Sequence, residues 1–147
     1  MLERCLELLR SGTMGVLATS DGEQPHTSLM GFIADEDGRR LWMVSSKDSQ
    51  KWLNIAQRPK VSFLVDTREE CRTRERSGLE ALTVEGHVTL VDVSSDEGQN
   101  AKARLLKLNP YLEEFFSEPD CVLFYLKTHT LLLLTGINTP FHYEFQS

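Results

Sequence analysis

The segment with the most chemical content is Val44-Ser45-Ser46-Lys47-Asp48-Ser49-Gln50-Lys51, where a strand-like pattern gives way to a helical one. Three hydroxyls and two ammonium groups lie there beside the free N–H groups of a helix start, a combination that suits a phosphate. The same residues also suit a polar loop closed by a serine cap. Composition alone leaves both readings open.

Strings that announce other chemistries are absent. There is no G-x-G-x-x-G for a dinucleotide, no G-x-x-x-x-G-K-[ST] for a nucleoside triphosphate, and no G-x-S-x-G elbow for an activated serine. His26, His87, His129 and His142 form no ligand pair on one helix, which argues against a metal centre. Cys5, Cys71 and Cys121 are odd in number and too widely spaced for a zinc knuckle or a C-x-x-C redox pair, so they read as reduced thiols of a cytoplasmic protein. No side-chain acid or base for catalysis can be picked out.

The elements that must position the Val44–Lys51 segment follow from periodicity. Leu2, Cys5, Leu6 and Leu9 recur at helical spacing, with Gly12 as a left-handed stop. Residues 13–19 and 25–34 read as strands joined by a turn at Ser20-Asp21-Gly22-Glu23, and Leu41 to Val44 follows a second turn at Asp35–Gly38 as the third strand of a meander. A helix over 46–58 carries Trp52, Ile55 and Ala56 on one face and stops at Pro59. Strands are expected over 60–66 and 79–91, the second with a bulge at Gly86, and a charged solvated loop over 67–78 separates them. Ser94 and Glu97 form a capping box for a helix running to Leu108, and Asn109-Pro110 opens a short turn reaching Phe116. Two strands, 121–127 and 131–136, close the pattern before an irregular tail.

The 147 residues predict one domain spanning 1–147, and the 40% hydrophobic content supplies a core. The excess of acids, 22 against 16 Lys+Arg, gives a net charge of -6 and counts against nucleic acid as partner. The apolar runs are far shorter than the roughly 20 residues of a membrane-spanning helix, and the MLERCLELLRSG start has no secretory pattern. About seven strands, two or three short helices and short turns predict an antiparallel barrel or sandwich, mainly β or α+β.

Ala18-Thr19, Asp21-Gly22, Pro25-His26, Ser45, Ser49, Lys51, Pro59 and Val61-Ser62 occur in that order. This order resembles the FMN-binding split β-barrel family related to pyridoxamine 5'-phosphate oxidase, over about a third of the chain. The resemblance implies an antiparallel split β-barrel, FMN as cofactor, and a homodimer with flavin between the subunits. It implies that Ser28, Leu29 and Met30 run beside the flavin, that Val44 and Ser45 touch it, and that Gln50 and Lys51, with Ser49 adjacent, hold its phosphate.

Three departures stand out. Ser28 occupies an arginine position of the oxidase, Gln50 often another, and Arg58 replaces the asparagine of N-P. The ending FHYEFQS also lacks the oxidase's arginine-rich segment, which argues against pyridoxamine phosphate oxidation. The expectation is a flavin-dependent oxidoreductase exchanging electrons with a small molecule. The alternatives are a flavin-binding or redox-sensing module without turnover, or a haem-binding relative using His129 or His142. Trp42, Trp52, Phe32, Phe141, Tyr143 and Phe145 are the aromatic candidates for dimer contacts.

Overall fold

The computed structural model describes residues 1–68, 78–136 and 139–146. Cys71 and most of the charged 67–78 segment lie outside the described residues. The elements run α1 (Leu2–Ser11), β1 (Met14–Ser20), β2 (Pro25–Gly31), β3 (Ile33–Ala34), β4 (Arg40–Ser46), α2 (Gln50–Gln57), β5 (Lys60–Asp66) and β6 (Glu80–Val91). They continue through α3 (Asp96–Leu108), a 3-10 turn (Pro110–Leu112), α4 (Glu113–Phe116), β7 (Cys121–Thr135) and β8 (Thr139–Glu144).

All described strands join one antiparallel sheet in the order β2-β1-β5-β6-β7-β4-β3, with β8 on β7. Its outermost strands on this path, β2 and β3, are consecutive in the chain and separated only by Phe32. The sheet must therefore curl until its two ends meet, which is the expected split barrel. The third strand departs from a meander: β4 pairs with β3 and β7 rather than with β2. The break at Phe32, fully buried, turns the chain from one end of the sheet to the other.

Alternation along the strands buries Leu17, Phe63, Leu82, Val84, Phe124, Leu131 and Leu133 in the main core, joined by Cys5, Leu8 and Leu9 of α1 and Ile55 of α2. A second core holds Trp42, Val44 and Leu123 under Ala101 and Leu105 of α3, with Leu112 and Phe116. Helices thus cover β4 and β7 locally, while the outward-facing residues of β1, β5 and β6 are mostly half-buried.

Four local expectations change. Gly12 is extended (φ -73°, ψ 144°) rather than left-handed. A Cβ there would come within 2.9 Å of the Phe32 ring and 3.0 Å of the Leu8 carbonyl, so close packing is what requires the glycine. The cap of α3 is Ser95, which accepts the Gly98 N–H at 3.0 Å, because Ser94 donates to Asp92 and Glu97 is paired with Arg40. The two strands expected over 121–136 are one strand, β7, and most of the tail expected to be irregular is β8.

The reason for the continuous β7 lies in its partners. β4 pairs with Cys121–Lys127 and β8 with Thr130–Thr135, while β6 runs along the opposite edge from Leu123 to Thr135. Polar Thr128 and His129 mark the exchange of one partner for the other. The expected bulge is at this point too: the β6–β7 register shifts between Glu85 and Gly86. A Cβ on Gly86 would collide with the Lys127 carbonyl oxygen, so only glycine permits the approach.

Candidate functional site at the β4–α2 junction

The sequence segment singled out above forms a compact junction. β4 ends at Ser46, and Ser49 caps α2 by accepting the Trp52 N–H at 3.3 Å. The Ser49 hydroxyl also donates to the Ser46 carbonyl at 2.8 Å and contacts the Ser45 hydroxyl at 3.0 Å. The N–H groups of Gln50 and Lys51 open the helix, where no intrahelical acceptor exists for them. Helix dipole and N–H groups together make this end receptive to negative charge.

Lys51 is the distinctive member. Its side chain is half-buried, and its ammonium has no ion pair or hydrogen bond among the described residues. Burial alone pushes it below the ordinary lysine value. A desolvated cation with no counter-charge is a cost that an anionic ligand would relieve. Gln50 instead donates to the Asn54 side chain at 2.8 Å, and Asn54, itself buried, donates to Thr19 of β1 at 3.0 Å. This pair anchors α2 against β1. Its importance is not legible from sequence, since Asn54 reads there as one more polar helix residue.

The other sequence-predicted positions divide by face. On β2, Ser28 is half-exposed opposite Leu17, Met30 is buried in the main core, and Leu29 on the other face is 69% exposed. Val44 is buried under α3, leaving its backbone rather than its side chain for any ligand. The structure therefore brings Ser45, Ser49, Gln50 and Lys51 together, with α2 packed on β1 and β2. It gives Ser28, Leu29 and Met30 three different environments. Among the aromatic candidates, Phe32 and Trp42 are buried within the protomer, and Trp52 stacks on Phe124 with centroids 5.7 Å apart.

The histidines fall elsewhere. His142 is exposed on β8, and His129 is exposed at the β7 bulge with its Nε2 2.6 Å from Nδ1 of His87 on β6. The close pair is absent from any sequence pattern, because 42 positions separate its members.

No helix among the described residues is long and apolar enough to cross a membrane. No curated protein matches the sequence. Among solved structures, a haem-binding protein from Mycobacterium smegmatis superimposes with a TM-score of 0.85 at 17% identity, covering 97% of this chain and 57% of that one. General Stress Protein 26 from Bacillus anthracis gives 0.71 at 20% identity, covering 98% of both chains. The haem storage protein HutZ from Vibrio cholerae gives 0.74 at 18%, covering 91% of this chain and 93% of its own. At such identities these likenesses establish the fold. The family match reaches further, covering residues 1–124, including the whole β4–α2 junction, so the chain belongs to the pyridoxamine 5'-phosphate oxidase family.

Proposed function

We propose that the chain is an FMN-binding flavoprotein in which Lys51 holds the flavin phosphate at the start of α2, and that it serves as a flavin-dependent oxidoreductase for a small-molecule donor or acceptor. The observation that carries this reading is the half-buried Lys51 side chain without a counter-ion among the described residues, in the first turn of a helix whose start also holds the Ser45 and Ser49 hydroxyls. These residues fit a phosphate. The departure at Ser28 leaves Lys51 as the main charge for it.

FMN, when bound, supplies hydride or electron transfer. The chain's own residues bind and orient: Lys51 and the N–H groups of α2 fix the phosphate, and the β2 backbone from Ser28 to Met30 borders the ring. A homodimer agrees with the outward sheet face, where Leu29, Val16, Leu64, Thr83 and Leu132 are cross-strand neighbours on successive strands. That row would be covered by a second copy.

The absorption spectrum of the untreated protein, with mass identification of what denaturation releases, tests the cofactor. Steady NAD(P)H oxidation supports turnover, whereas bound flavin that no pyridine nucleotide reduces supports a sensing module. Haem is the second reading, favoured by the exposed imidazoles of His129 and His142 and by the likeness to haem-binding structures. A Soret band on haem addition that disappears in His129→Ala or His142→Ala would support it; retention in both would remove it.

A further inference from the structure

The bulge in the β6–β7 ladder creates a second polar site away from the β4–α2 junction. Glu85 faces Thr130 and Gly86 faces Thr128, so His129 is the extra residue. It meets His87 with the ring nitrogens 2.6 Å apart and the ring centroids 4.7 Å apart. His87 is itself flanked across the sheet by Lys60 of β5 and Lys127 of β7, and Arg40 of β4 continues the row beyond Lys127.

Arg40 is committed to Asp35 and Glu97. The ammonium groups of Lys60 and Lys127 have no ion pair or hydrogen bond among the described residues. Like charges side by side across strands destabilise a sheet unless something negative sits among them. Such a row runs against the chain's overall charge of -6. His129 and Lys60 also line an open groove of about 480 Å³ together with Ser62, Thr130, Thr19 and Glu85, which gives a small molecule room on the His129 side of the pair.

We propose that His87 and His129, flanked by Lys60 and Lys127, bind the dianionic oxyanion group of a small molecule, and that binding tightens as the two imidazoles take up protons. Without a ligand, one proton can be shared across the 2.6 Å contact, and a second would set N–H against N–H. An oxyanion that parts the rings can accept one N–H from each, replacing the direct contact. The charged groups around the pair are Lys60 from β5, Glu85 from β6, Lys127 from β7, Glu144 from β8 opposite Thr130, and Arg39 and Asp37 from the turn before β4. Burial, His129 and Lys127 all lower the proton affinity of His87, so the surroundings that act on it are positive. The same positive surroundings oppose a metal cation, and no third ligand joins the pair among the described residues.

Inorganic sulfate is the probe, because it stays a dianion across the range in which imidazole titrates. The side-chain nitrogen resonances of His87 and His129 are followed in the full chain, with and without flavin, at about pH 6 and about pH 8. The expected result is saturable shifts of both rings, with affinity about tenfold higher at the lower pH. Lys60→Ala and Lys127→Ala should each weaken binding by about threefold or more. The His87→Gln/His129→Gln double variant keeps hydrogen-bonding capacity but cannot take up charge; with sulfate binding followed through the backbone amide resonances of Lys60 and Lys127, it should lose the pH dependence while unfolding cooperatively. Equal affinity at both pH values, or a shift that never saturates and so reports an adventitious ion only, would overturn the proposal. So would saturable zinc binding by the pair without sulfate binding. Because flavin-free protein gives the same readout, the result is separable from the flavin assignment.

Discussion

The hydroxyl oxygens of Ser45 and Ser49 lie 3.0 Å apart, and the second also accepts the Trp52 N–H and donates to the Ser46 carbonyl. Ser49 is thereby occupied in holding the helix start. Ser49→Ala should cost about 1 kcal/mol of stability, read by urea denaturation, and leave FMN affinity within about threefold. A loss of flavin binding with unchanged stability would reassign Ser49 from cap to ligand.

Lys51 should behave in the opposite way. Lys51→Ala removes the charge partner that only a phosphate needs, so FMN affinity should fall by about tenfold or more while riboflavin affinity changes by less than about twofold. Fluorescence titrations with the two flavins distinguish the outcomes. Equal losses would place the phosphate elsewhere.

The same ammonium carries a stability consequence. Its folded pKa lies below its unfolded one, so the penalty on the charged form is fully present below the folded value and disappears above the unfolded value of about 10.4. Without ligand, Lys51→Met should raise the melting temperature at neutral pH, and the gap to the native protein should close in alkaline solution. At one fixed FMN concentration the melting temperature of the native protein should rise more than that of the variant. Thermal scans across pH test both parts.

Asp35 is the charged hub beneath α3. Its carboxylate accepts from Arg40 Nε at 2.6 Å, Arg104 Nη1 at 3.0 Å and Trp42 Nε1 at 3.1 Å. Burial raises its pKa, but the bonds from Arg104 and Arg40 outweigh burial and hold it below the ordinary value. A depressed carboxyl stabilises the fold above its unfolded pKa of about 3.9, and that stability is lost as pH falls through the folded value. Asp35→Asn should cost about 2 kcal/mol at neutral pH, and should remove this part of the acid dependence in pH-resolved melting curves.

Gly86→Ala tests the bulge. The new methyl would meet a backbone carbonyl, which cannot rotate away, so a loss above about 2 kcal/mol is expected. The His87 and His129 ring signals should separate in the same variant.

Much of this was legible beforehand because it is local. The hairpin is set by its Asp21 turn, α2 by a cap that the sequence leaves between Asp48 and Ser49 and by Arg58-Pro59, and the bulge by a glycine inside a strand. Lys-Thr-His-Thr at 127–130 broke the apolar pattern and suggested two strands. The break is an exchange of partners, which no local pattern encodes. The tail read as irregular because Pro140 and polar neighbours disfavour an inner strand, yet β8 is satisfied along β7. At the junction, residue types identified Ser45, Ser49 and Lys51. That Gln50 turns to Asn54 while Lys51 has no partner depends on how α2 packs against β1.

β7 is bonded along its length to β6 and, by halves, to β4 and β8. During synthesis, β4 and β6 emerge long before it and wait with one backbone edge open to any strand that passes. Nascent chains released before Cys121 would expose both edges, making truncation products the aggregation hazard of this protein.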